Sequence, residues 1–185
     1  MQHTIMARPA FKEVWTRWVP WHVERSTFVL LATAILAVMA WQWRPPPQTV
    51  WRFESPLAAG ILTAVSLAGW GIVLVSTFLI DHFELFGVTQ TVSYALGRRA
   101  EPPTFKERLF YRWVRHPLML GFLIAFWATP TMSQGHLLFA MVTTLYVVIA
   151  IQIEERTLVY LHGEQYRSYQ RRVSMLLPFG RRRQD

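Results

Sequence analysis

The sequence predicts an all-α polytopic membrane protein. It should form a helix bundle of about four spans, the last two a tight helical hairpin, with a cytoplasmic C-terminal segment. Three observations carry this. Apolar blocks alternate with strongly basic connectors, although the mean hydropathy is only +0.22. Nine of the 185 residues are Trp, a residue that favours the membrane–water boundary. All but Arg44 and Arg52 of the 19 Lys and Arg lie before residue 26, between residues 98 and 115, or from Arg156 onward. With four spans these three regions share one side, and the positive-inside rule puts that side, with both termini, in the cytoplasm.

Length predicts a single domain over residues 1–185. Residues 1–25 are basic and aromatic, with Phe11, Trp15 and Trp18 at helical spacing, and read as an interfacial amphipathic segment. Residues 26–43 form the first span, uncharged, with Ser26 as N-cap. Residues 44–56 hold three successive prolines and predict turns rather than a helix. The second span covers 57–80, where Gly60, Gly69 and Gly71 permit close helix approach. Asp81, His82 and Glu84 open a partly amphipathic stretch to Gly97. A charged connector broken at Pro102-Pro103 leads to Arg112. The third span, 118–132, is short and interrupted by Pro130, so it needs neighbouring helices or a locally thin bilayer. Ser133-Gln-Gly135 reads as a tight turn. The fourth span covers 136–153, its apolar period continuing to about Leu161, and residues 154–185 form the polar, basic tail.

The net charge of +8 is compatible with nucleic acid or an anionic membrane surface. The basic residues cluster at span ends, which favours the membrane and leaves nucleic acid a poor explanation. Cysteine is absent, which excludes disulfides, thiolate metal sites and a Cys nucleophile. The first apolar block lies too far in, with no cleavage site after it, to read as a secretory signal peptide. The six His lack metal-site spacing, so no metal is expected. Neither a dinucleotide fingerprint nor a phosphate loop is present.

Two polar stretches flank the final hairpin. Tyr111-Arg-Trp-Val-Arg-His-Pro-Leu-Met-Leu-Gly121 sets Arg115 and His116 against Pro117 at a helix start, where free N–H groups suit a carboxylate or phosphate. Downstream, Glu154 and Glu155 follow an apolar run directly, which is costly unless they are paired or face a polar cavity. Arg115 or Arg112, or a ligand ammonium, would satisfy them. Glu155, Leu158 and His162 share one helix face. Tyr160, Tyr166 and Tyr169 could stack on a planar ring or lie in the interface. The bland alternative makes the cations membrane anchors and the acids span-end markers.

Arg115-His-Pro-Leu-Met-Leu-Gly121, the paired Glu154-Glu155, Leu158 and His162-Gly-Glu-Gln-Tyr166-Arg-Ser-Tyr169 together resemble the isoprenylcysteine carboxyl methyltransferase-like superfamily. Gln2 to Lys12, Phe86-Gly-Val-Thr-Gln90 and Phe126 to Met132 are most similar to its nurim-like branch, which includes bacterial thiol methyltransferases. The resemblance covers nearly the whole chain. Met119 stands where the family carries an aromatic, and His162 where Phe is common. The resemblance implies further membrane helix ahead of Gln2-His3, at which this chain begins. It implies a bacterial inner-membrane enzyme using S-adenosyl-L-methionine, with a cofactor-binding C-terminal segment. The cofactor site would draw on Tyr111, Arg115, His116, Pro117, Gly121, Glu154, Glu155, Leu158, His162, Gly163, Tyr166 and Tyr169. Arg115, His116 and Glu155 would act in catalysis. Arg115 would hold the cofactor carboxylate or stabilise a thiolate, Glu155 would receive the ammonium, and His116 or His162 would take the thiol proton. The acceptor implied is a small thiol, methanethiol giving dimethyl sulfide, arriving through the lipid bilayer. The superfamily also holds prenylcysteine carboxyl methyltransferases, sterol reductases using NADPH and the non-catalytic nurim of nuclear envelopes; these stand as alternatives. No oligomeric state is specified.

Overall fold

The computed structural model describes residues 14–80, 86–97 and 109–177. Its elements are α1 (Trp21–Gln42), β1 (Thr49–Arg52), α2 (Pro56–Ile80), α3 (Val88–Ala95), a 3-10 turn (Leu109–Arg112), α4 (Pro117–Trp127), β2 (Thr131–Ser133), α5 (Gln134–His162) and α6 (Glu164–Arg172). The chain divides into two compact units, Met1–Trp43 with Ile80–Thr104 and Arg44–Leu79 with Phe105–Asp185. The expected amphipathic residues Phe11 and Lys12, the Gln2–Lys12 motif, Asp81, His82, Glu84, the Pro102-Pro103 break and the terminal arginines lie outside the described residues.

In the first unit, α1 follows Pro20 and runs through Glu24 and Arg25. The helix therefore begins five residues before the predicted boundary, because nothing after Pro20 breaks the backbone. Ser26 is not its N-cap; its hydroxyl donates to the Phe86 carbonyl at 3.3 Å. Thr91 Oγ1 donates to the His22 carbonyl at 3.0 Å. The His22 and Tyr94 rings stack with centroids 3.7 Å apart. Gly87, at φ +78°, lies against Ser26, where a Cβ would approach Oγ to 2.6 Å.

In the second unit, α2 and α5 are apolar enough along their length to cross a membrane. With α1 they make three such helices among the described residues. The third expected span is instead an 11-residue helix, α4. At 1.5 Å per residue it reaches only about 16 Å, roughly half a bilayer core. Ala128 ends it, and Thr131 to Ser133 leave as strand β2. β2 pairs antiparallel with β1, with Thr49 opposite Ser133 and Arg52 opposite Thr131. The predicted turn region 44–56 thus contains a strand, and the predicted turn at Ser133 is a helix start. Ser133 caps α5, its hydroxyl accepting from the His136 N–H at 3.1 Å. Gly135 is needed because a Cβ there would overlap Pro45 at 2.1 Å. The last two apolar segments do form a hairpin: Trp127 Nε1 donates to Thr144 Oγ1 at 2.9 Å, and Phe126 packs on Phe139.

α2 crosses α4 through glycine. A Cβ on Gly69 would meet the Ala125 nitrogen at 2.7 Å, and one on Gly121 would meet the Gly69 carbonyl at 2.7 Å and Val73 at 2.9 Å. Ser66 Oγ donates to the Ala125 carbonyl at 3.0 Å. Without a hydrophobic driving force between helices in lipid, this backbone-to-backbone fit supplies the packing.

Candidate active site

At the far end of the hairpin from the β1–β2 ribbon, α4 begins and α5 ends. His116 is the N-cap of α4 and Pro117 its first residue, where the missing proline N–H costs nothing. The α5 helix has 29 residues. Glu155 therefore stands about 31 Å along its axis from Gln134, a full bilayer thickness away. Gly163 then takes φ +56°, outside the usual range of residues with side chains, and lets α6 fold back.

This reversal returns the tail to the start of α4. Tyr166 and Tyr169 lie one turn apart on the inner face of α6 and are buried with Val173 against Leu158 and Val159. Beyond α6, the Arg115 N–H donates to the Ser174 carbonyl at 2.9 Å and the His116 N–H to Met175 at 3.1 Å. Tyr169 Oη donates to the Tyr111 carbonyl at 2.6 Å.

Glu155 occupies the centre. Arg115 Nε donates to its Oε1 at 2.6 Å and Nη2 to its Oε2 at 3.1 Å, a bidentate pair. Gln170 Nε2 donates to Oε2 at 2.9 Å, and Tyr166 Oη reaches Oε1 at 3.5 Å. His116 Nε2 lies 3.1 Å from Oε1, and its Nδ1 lies 3.7 Å from Glu154 Oε2. The remaining guanidinium nitrogen of Arg115 donates to the Gln170 and Val173 carbonyls. Arg115 thus uses four of its five N–H donors on the acid and the tail. A carboxylate entering a helix from an apolar run is tolerable here because it is paired with Arg115 and hydrogen-bonded to Gln170. Burial pushes the Tyr166 and Tyr111 hydroxyls well above the usual tyrosine range, with Glu155 and Glu154 respectively adding to it.

Both ring nitrogens of His116 face carboxylate oxygens. Glu154 is exposed, at the rim. Gly121 lies in the α2–α4 crossing rather than in the acid network. His162 ends α5. Tyr160 is 86% exposed, on the lipid or solvent side.

A groove of about 280 Å³ opens beside Glu155, lined by Gln152, Arg156, Val159 and Gln170. Of these lining residues, the sequence reading singled out only Glu155. Helical spacing carried the signal, since Gln152, Glu155 and Val159 share one face of α5, and Gln170 follows Tyr166 by one turn of α6.

The chain is 52% identical to methanethiol S-methyltransferase 1 of Bradyrhizobium diazoefficiens, covering 98% of this chain and 64% of the relative. It is also 52% identical to the methanethiol S-methyltransferase of Mycobacterium tuberculosis, covering 98% of this chain and 75% of that protein. Nurim of Rattus norvegicus is 29% identical, over 92% of this chain and 68% of its own. The chain therefore spans about two thirds to three quarters of the length of these relatives. No protein-family model and no solved structure matches it.

Proposed function

The chain belongs to the methanethiol S-methyltransferase family, and on that premise we propose that it transfers a methyl group from S-adenosyl-L-methionine to a small thiol, methanethiol giving dimethyl sulfide. The observation that carries this reading is the groove beside Glu155. Its lining combines a carboxylate, a guanidinium at Arg156, two amides and an apolar wall at Val159. That donor set suits a zwitterionic amino acid attached to a planar base: the acid for the ammonium, Arg156 for the carboxylate, the amides for ring or ribose groups. When bound, the cofactor supplies an electrophilic methyl group on a sulfonium.

The protein's own contribution is positioning. Arg115 is a positioning residue, clamping Glu155 on α5 to the carbonyls of the tail. His116 braces Glu155 and Glu154 together. Tyr166 and Tyr169 close the apolar underside and keep water from it. Leu158 and Gly163 shape the return of the tail, and Pro117 sets the start of α4. An apolar thiol can reach this end of the hairpin from the lipid. The basic distribution supports a cytoplasmic site, with Arg52 on the ribbon end opposite.

The test is direct. Membranes holding the protein, given isotopically labelled cofactor and methanethiol, should release labelled dimethyl sulfide. No labelled product, or full activity after Arg115→Ala, His116→Ala and Glu155→Ala are combined, refutes the reading. Calorimetric titration with the cofactor separates an enzyme from a non-catalytic relative.

A further inference from the structure

A second cavity, of about 350 Å³, opens between α2, the end of α4 and the start of α5. Thr63, Ser66, Trp70, Phe126, Thr129 and His136 supply its polar and aromatic lining. It shares no lining residue with the groove at Glu155. It lies toward the ribbon end of α2, with Thr63 about 10 Å along the helix from Pro56. α4 stops at Trp127, half a bilayer long, and the cavity opens where it stops.

The hydrogen bonds of this lining all run one way. Thr63 Oγ1 donates to the Ala59 carbonyl at 2.9 Å, Ser66 Oγ to the Ala125 carbonyl at 3.0 Å and Thr129 Oγ1 to the Thr131 carbonyl at 2.8 Å. His136 Nε2 lies 2.9 Å from the Phe126 carbonyl oxygen. A carbonyl only accepts, so Nε2 carries the proton and the neutral ring keeps Nδ1 as an acceptor. Each hydroxyl has thus given its only hydrogen to backbone. None of these four side chains receives a hydrogen bond from the described residues. They bring acceptor capacity to the cavity and no donor. The one side-chain donor left on the lining is the Trp70 indole N–H. The Trp70 ring meets Phe122 and Phe126 edge to face, at 5.8 and 5.9 Å between centroids. In a bilayer, acceptors without donors are costly, and aromatic rings beside them attract a cation.

We propose that this cavity binds the primary ammonium headgroup of a phospholipid, drawn from the leaflet opposite the Glu155 end. An ammonium offers three N–H donors and no acceptor, the complement of three hydroxyls and an imidazole. Its charge suits the Trp70 and Phe126 rings. A choline headgroup has no N–H to donate, and an anionic headgroup would find one donor only. The phosphate has a partner beside the rim. Exposed Arg52 pairs through its backbone with Thr131, and Phe53 next to it donates its N–H to the Pro130 carbonyl. The Arg52 side chain makes no hydrogen bond or ion pair among the described residues. The acyl chains have exposed Leu57, Ile61 and Leu67 of α2 to lie along, which a free amine in solution could not use. The lipid then fills the space that the short α4 leaves, a local answer to its mismatch with the bilayer.

Native mass spectrometry tests this on the detergent-purified protein, titrated with phosphatidylethanolamine, phosphatidylcholine and phosphatidylglycerol of one acyl composition. Phosphatidylethanolamine should add one saturable adduct. It should bind about tenfold or more tighter than phosphatidylcholine, the scale of hydrogen bonds to a charge. Thr63→Val keeps the side-chain shape and removes a hydroxyl bonded only within its own helix, so the fold should stand while affinity falls severalfold. Trp70→Leu should lower it about threefold or more. Arg52→Gln should weaken all three lipids alike, since the phosphate is common to them. Equal affinity for the three headgroups, wild-type affinity in both Thr63→Val and Trp70→Leu, or free ethanolamine competing as well as the lipid overturns the proposal. No readout here involves methyl transfer, so the result is independent of what the Glu155 groove binds.

Discussion

Replacing Arg115 by Ala should release the C-terminal tail while leaving the membrane helices in place. The guanidinium makes two bonds to Glu155 and two to the carbonyls of Gln170 and Val173. Its loss leaves a buried carboxylate with only amide, hydroxyl and imidazole partners. Removing one member of a buried, hydrogen-bonded pair costs roughly 3–5 kcal/mol. At about 1.4 kcal/mol per tenfold, local opening of the tail should become some hundred- to several-thousandfold more frequent. Hydrogen exchange followed by mass spectrometry reads this, through the amides of α6 and those of residue 115 and His116 that bond to Ser174 and Met175. Arg115→Lys keeps the charge but loses the fork, and should fall between. Tail protection within tenfold of wild type in Arg115→Ala would refute the clamp. Faster exchange throughout α5 would show that the pair supports the span instead.

Tyr169→Phe removes the bond to the Tyr111 carbonyl and should cost about 1–2 kcal/mol of tail stability in the same exchange experiment, with little change in the size of the folded particle. Gly121→Val and Gly69→Val should sharply lower the yield of folded protein in size-exclusion analysis, because each side chain would strike backbone across the α2–α4 crossing. Gly60→Ala and Gly71→Ala, with open space around them, should not. Burial raises the Tyr111 and Tyr166 hydroxyls in the folded protein. Their contribution is thus fully present below the unfolded tyrosine value of about 10 and is lost as pH rises above it. Tail protection should therefore be flat through neutral pH and fall in strong alkali.

The spans with long, uninterrupted apolar runs could be read directly from the sequence. α2 begins at Pro56, beside the expected boundary, and α5 continues through Glu154 and Glu155 as its period indicates. Boundaries that depend on distant partners could not. Ser26 looks like a cap because capping is local, yet its hydroxyl is taken by Phe86, sixty residues on. The β1–β2 ribbon joins segments about eighty residues apart, and no local pattern announces such pairing. α4 was overlong in the reading because hydropathy measures apolarity, which continues past Ala128, while the helix stops there. At the site, the charges at Arg115 and Glu155 drew attention because unpaired charge beside lipid demands an explanation. Gln152 and Gln170 carried no such alarm, since neutral amides are common at helix ends. The backbone acceptors at Val173 and Ser174 leave no trace in residue identity at all.

The clamp also orders the chain's biogenesis. Arg115 is synthesised 40 residues before Glu155, but two of its acceptors are carbonyls at Gln170 and Val173. During translation Glu155 emerges before Gln170 and Val173, whose carbonyls complete the clamp. A nascent chain arrested short of Val173 would hold its apolar helices without a completed Arg115 clamp.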